Sequence, residues 1–400
     1  MPFALFLVWP FFALIFAIVN WRSPWAKNIV WLFCGFFGFT FYIPPDGPDA
    51  NRYRDYLIDF HYSGTDIWQY IPEVLMGKHG KGDILEPMLR GLIGHFTDDH
   101  RILFCVFGLI MGYFLSRNIW FLLEKAGNKI PLSAYPFLWV VAFGIGIWQI
   151  NGFRFWTAAH IFIHGLIVLF YYRKKIKGSF LLILAAATHI TMAIPIIAVA
   201  LAVLMAAYPK ILLIIMGLSM LFASIPVEKI LTLLPKSLFP SADLYIKGYL
   251  MSDIAKNFEQ VRESRIWFLR LNDISSRILF SFLAIYYLLR CSNFQFLSIG
   301  GRRLMTVGVL MLAIYNLFYL FPSIVRFATI SFLIIAVVYF LYMLEQGNTL
   351  HKRWISLLAL PPITLLVLIQ WRIGLEFLGP SPIFTSPLFA WVLDALPGFK

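Results

Sequence analysis

Apolar runs of about 20 residues recur along the whole chain, and they restrict what it can become more than any other feature. A run of that length matches the ~30 Å hydrocarbon core of a bilayer at ~1.5 Å rise per residue. Backbone groups in hydrocarbon must find partners inside the chain, so such runs become helices rather than open sheets. Of the 400 residues 60% are hydrophobic and only 13% charged. The runs are long and do not alternate strictly, which argues against an outer-membrane barrel. The expected fold is an all-α polytopic membrane protein, a single membrane domain over 1–400 with about 12 spans (10–12). Those spans are 2–19, 27–45, 101–123, 131–150, 153–172, 178–192, 193–208, 210–226, 270–290, 303–321, 324–345 and 353–371. The first run lacks a basic n-region and a small-residue cleavage site, so it reads as a retained helix.

Net charge is +13. The bases gather in short loops between apolar runs, so the charge reports orientation and contact with anionic lipid rather than nucleic acid. Arg173, Lys174, Lys175 and Lys177 form the clearest basic turn. Arg290, Arg302 and Arg303 form a second, and His351, Lys352 and Arg353 a third. Placing these turns in the cytoplasm puts both termini outside. It also requires an odd number of passes between Gly178 and Pro226. His189 and Pro195 in AAATHITMAIP offer the break that makes this possible, as two short helices meeting near His189 on the outer side.

Two outer segments follow, 46–100 and 227–269. The first carries ten of the 20 acids, against six bases when counted from Asp46 to Arg101. The second mixes apolar and charged residues with helical spacing, as an interfacial helix would. Cys34, Cys105 and Cys291 lie in or beside apolar runs and form no CxxC, so neither a disulfide framework nor a zinc site is expected.

Arg154 opens the run FRFWTAAHIFIH. A guanidinium there costs roughly 2.5–3.5 kcal/mol on insertion scales and is usually paired or functional. Arg326, before FATISFLII, repeats that placement. Two such groups suit a diphosphate, since arginine holds phosphate oxygens with two prongs. Arg270 is a weaker candidate in a mixed-charge setting. His189, with a pKa near neutrality, is a candidate base. His160 and His164 share a helix face, but no HExxH acid accompanies them, and packing is the simpler reading. In the outer segment Asp49, Arg52, Tyr53 and Tyr56 suit sugar hydroxyls and rings. Glu86-Pro87 with Arg90 one turn on reads as a short helix bearing an ion pair.

The order PDxxRYxxY (Pro48 to Tyr56), Glu86-Pro87, a helix opening at Arg154, a basic turn and a helix ending at His189 resembles the EpsG-like family of exopolysaccharide proteins. That family is related to the Wzy-type repeat-unit polymerases. Thr191 departs slightly from the small hydroxyl residue the family carries after its histidine. The resemblance covers about residues 1–345. It implies a GT-C-like, metal-independent glycosyltransferase of the bacterial inner membrane, without cofactor. Its substrate would be undecaprenyl-diphosphate-linked oligosaccharide, and a chain-length regulator protein would be a candidate partner. Arg154 and Arg326 would hold the diphosphate, with Arg270 nearby. Asp49, Glu86 or His189 would take the acceptor proton, and Arg52, Tyr53 and Tyr56 would position sugar. A flippase for the same lipid and a polysaccharide ligase are the competing readings.

Overall fold

The computed structural model describes residues 2–45, 48–76, 82–222, 266–290, 297–319, 324–345 and 349–390. Asp46, Arg265, Cys291 and residues 227–265 of the second outer segment lie outside them. The described residues are helical, with no strand among them. Four helical stretches among them are long and apolar enough to cross a membrane: His100–Ala126, Leu132–Tyr171, Val325–Leu344 and Leu350–Leu375. Shorter apolar helices accompany them, and the protein is membrane-embedded.

In chain order the helices are α1 (Pro2–Val8), α2 (Pro10–Val19), α3 (Ala26–Phe39), α4 (Pro48–Tyr62), α5 (Ile67–Leu75), α6 (Leu85–Gly94), α7 (His100–Ala126) and α8 (Tyr135–Phe143). Then come α9 (Phe153–Leu166), α10 (Lys175–Thr188), α11 (Ala193–Met205), α12 (Pro209–Leu221), α13 (Trp267–Leu289) and α14 (Ile299–Leu317). The last are α15 (Val325–Leu344), α16 (Thr349–Leu375) and α17 (Ser381–Phe384). The chain divides into two compact units, Met1–Ile196 with Val367–Lys400, and Ile197–Leu366.

The expected first span is two helices. Pro10 opens α2, and Trp9 before it is extended at φ −149°, the conformation favoured ahead of proline. The expected break near His189 is present. α10 stops at Thr188, His189 is extended (φ −151°, ψ 116°), and a 3₁₀ turn over 190–192 leads into α11.

The first unit is built on α3 and α7, which run antiparallel with small residues between them. A Cβ on Gly38 would collide with the Phe104 carbonyl oxygen, one on Gly108 with the Cys34 carbonyl oxygen, and one on Gly112 with the Cys34 side chain. Backbones this close gain dispersion contacts that lipid cannot supply. The Trp31 indole N–H also donates to Leu109 O at 2.7 Å.

The described residues of segment 46–100 are a folded piece, built from α4, α5 and α6. Ile67, Tyr70 and Val74 recur at helical spacing on α5 and bury against Phe60 of α4, with Ile84 and Met88 beside them. Asp66 caps α5 through Trp68 N, and Asp99 caps α7 through Arg101 N.

The second unit has its own interior. Phe280 stacks on Phe332 at 4.2 Å, Ser331 Oγ donates to Gly308 O and Tyr339 Oη to Leu283 O.

Candidate functional site

The site grows from the break in α10–α11. Ending a helix at Thr188 strips backbone groups of their partners, and at membrane depth these need replacements. The chain just before α6 supplies them. Ile84 N donates to Ala187 O at 2.7 Å, and Ile190 N donates to Asp83 Oδ1 at 2.9 Å. Gly82 makes the approach with φ +96°, a conformation that side-chain-bearing residues rarely adopt.

Asp83 joins three elements. Its Oδ2 accepts from Arg154 Nη1 at 3.0 Å at the start of α9. Its Oδ1 takes the Ile190 amide and lies 3.4 Å from His189 Nδ1. The carboxylate is 4% exposed, the guanidinium 29% and the imidazole 17%. Thr191 N donates to His189 Nδ1 at 3.5 Å, and Thr191 Oγ1 lies 3.4 Å from the same nitrogen. Asp83 and the turn after the helix break therefore meet the imidazole at one ring atom, which sets the orientation of the ring. Arg154 thus has Asp83 as its counterion, an acid that nothing in its sequence setting sets apart from the other nine of segment 46–100.

Aromatic packing fixes the arginine. Phe153, the neighbour of Arg154, stacks face to face on Phe107 at 3.8 Å, and Tyr53 packs edge-on against Phe107 at 5.5 Å. Tyr53 is buried, and its hydroxyl interacts with the guanidinium. Burial raises this phenol above its ordinary range, against the pull of Arg154. Its ring is therefore enclosed and not open to a sugar, and its task is to hold Arg154. Ala50 N donates to Asn151 Oδ1 at 3.1 Å, tying α4 to the turn before α9.

The remaining candidates fall in different places. Asp49 and Arg52 pair with each other at the start of α4, on the exposed side. Tyr56 is 48% exposed, with the Arg90 guanidinium 5.0 Å from its ring centre. Glu86 and Arg90 form the expected ion pair at 3.0 Å, with side chains 5% and 10% exposed. That burial gives Glu86 the task of a brace rather than an accessible base. Arg270 and Arg326 belong to the second unit, on α13 and α15, and both are exposed. His160 hydrogen-bonds Ile145 O at 3.1 Å, and His164 Nδ1 meets Asn118 Oδ1 at 3.1 Å, so both serve packing. An apolar cavity of about 730 Å³ lies among α2, α3, α7, α8 and α16, and none of the candidate residues lines it.

Burial raises the Glu86 carboxyl above the usual range, and Arg90 offsets this only in part. An acid whose folded pKa is raised contributes stability that is complete below its unfolded value, about 4.3. That contribution is lost as pH rises through the folded value. Glu86→Gln should therefore flatten the fall in melting temperature of wild type as pH rises from about 4 toward neutrality. Parallel melting curves across that window would show that Glu86 does not titrate there.

Compared with protein-family models, curated proteins and solved structures, the chain matches none.

Proposed function

We propose that the protein is a GT-C-like membrane glycosyltransferase of about twelve passes, in the bacterial inner membrane. It would join undecaprenyl-diphosphate-linked oligosaccharide units on the outer face. The observation that carries this reading is the buried Asp83 gripping Arg154 beside His189. This cluster lies at the end of α9 away from the basic turn Arg173–Lys177. Residues 153–171 separate the two, a helical rise of about 28 Å. The positive-inside rule then puts the cluster at the outer surface, beneath the folded acidic segment. In this reading the arrangement is that of an oriented base: Asp83 beside Nδ1 holds the ring in the Nδ1–H tautomer, and Nε2 is the nitrogen that takes a proton.

In this reading His189 Nε2 accepts the proton of the acceptor hydroxyl as that oxygen bonds to the anomeric carbon of the donor sugar. The bond from that carbon to the diphosphate oxygen breaks, and undecaprenyl diphosphate leaves with the electron pair. Arg154 stabilises the charge that develops on the leaving oxygen. Tyr53 and Asp83 keep the guanidinium in place. Tyr56, Arg52 and Asp49, on the exposed side of α4, meet sugar hydroxyls and faces. A chain-length regulator protein is the partner this reading implies.

The test is polysaccharide made by cells whose only copy carries His189→Ala or Arg154→Ala, with membrane protein level measured alongside. Loss of a general base typically costs about 10²–10⁴ in rate, so the ladder on a gel should collapse to single lipid-linked units. Chains of normal length in both variants would remove the assignment. Absence of any surface sugar, with the lipid-linked unit trapped inside, would mean a flippase.

A further inference from the structure

We propose that Arg277 of the second unit is a binding site for a phosphate-bearing anion. Arg277 sits near the middle of α13 and is half-buried. Its Nε–H donates to Asn316 Oδ1 at 2.9 Å, and its guanidinium carbon lies 4.0 Å from the ring centre of Tyr319 and 6.0 Å from that of Tyr315. Asn316 is fully buried. The amide and the ring therefore fix the guanidinium plane from one side.

The terminal nitrogens have no acceptor among the described residues, and no carboxylate lies within ion-pair distance of Arg277 among them. Contrast Arg117 of the first unit, also without a carboxylate. Its Nη1 donates to Lys27 O and Ser116 Oγ and its Nη2 to Asn28 Oδ1, so its prongs are spent on protein. Arg154, Arg90, Arg52 and Arg101 each have an acid. Arg277 alone of these six presents an oriented fork with its charge unbalanced.

A half-buried charge is costly unless something meets it, and a planar fork is matched in shape by two oxygens of a phosphate. Asp273 and Arg270 share the same face of α13, one and two turns earlier. They set a mixed-charge approach, and the arginine at the deeper end carries the contact. The diphosphate form of the anion follows from the proposed function. The site itself needs only phosphate oxygens, from a lipid headgroup or from free phosphate.

Isothermal titration of purified full-length protein with inorganic pyrophosphate and with geranyl diphosphate would test this. Wild type should bind, and Arg277→Gln should weaken binding about tenfold or more, as expected for charge-assisted hydrogen bonds. Asn316→Asp hands the guanidinium a carboxylate, so it should lose anion binding while keeping its melting temperature. This second variant carries the test if the first does not fold. Geranyl diphosphate binding more tightly than pyrophosphate points to a lipid headgroup, and equal binding points to the bare anion. Wild-type affinity in both variants, or no binding by wild type, overturns the proposal. The transferase reading is tested separately, by polymer length in the His189 and Arg154 variants, so a failure at Arg277 is told apart from a failure of that reading.

Discussion

Asp83→Ala should destabilise the protein by about 3–5 kcal/mol, the range for breaking a buried ion pair by removing one partner. The change strands two donors at once, Arg154 Nη1 and the Ile190 amide at the helix break. It also frees the His189 ring from the group that orients it. Thermal unfolding in detergent reads the loss. Asp83→Asn should fall in between, because the amide keeps a single acceptor oxygen and turns a donor toward other donors. The pair Asp83→Ala with Arg154→Met should recover part of the loss, since the uncompensated charge is removed together with its partner. Strict additivity of the two changes would show that Asp83 and Arg154 do not depend on each other, and the site would lose its centre.

Gly108→Val should be as severe, through packing and not charge. A Cβ there would overlap the Cys34 carbonyl oxygen, and the neighbouring glycines hold α3 and α7 in the same close register. Neither backbone can yield locally, so the helices must part along their length. Overpacking usually costs about 1–3 kcal/mol. Contact with backbone instead of a flexible side chain places this substitution at the upper end or beyond. Gly217→Ala on α12 is the control. Nothing lies near its added methyl, and the gain in helix propensity should raise stability by up to about 1 kcal/mol. A Gly108→Val protein that melts with wild type would mean that α3 and α7 do not pack this closely in the membrane.

The expected spans over 101–123, 324–345 and 353–371 coincide to within a few residues with α7, α15 and α16, which are long and apolar enough to cross a membrane, and α13 and α14 are helices over 270–290 and 303–321. Mean hydropathy along a window is a local property, and a bilayer reads it almost without reference to the rest of the fold. The end of α10 at His189 was legible for a related reason, since a polar pair before a nearby proline weakens a helix wherever it occurs. Arg154 stood out because a cation beside an apolar run is costly in any fold. The split of the first span at Trp9 was missed, although Pro10 was a visible signal for it.

What the sequence could not assign were the partners. Asp83 lies 71 residues from Arg154 and 107 from Ile190, among nine other acids of similar setting. Only folding of the outer segment onto the broken helix selects it. The same holds for Tyr53, which reads as a sugar platform in sequence and becomes a wall behind an arginine once Phe107 and Phe153 are stacked. Arg277 drew no notice within an apolar helix until Asn316 and Tyr319 were brought to it. Sequence alone determined that this chain is helical and membrane-embedded and which ionisable group stands out near the start of α9. The tertiary structure decided which charges are balanced and which are left to meet something else, because a counterion is chosen by distance in space, and hydropathy along the chain carries no record of that distance.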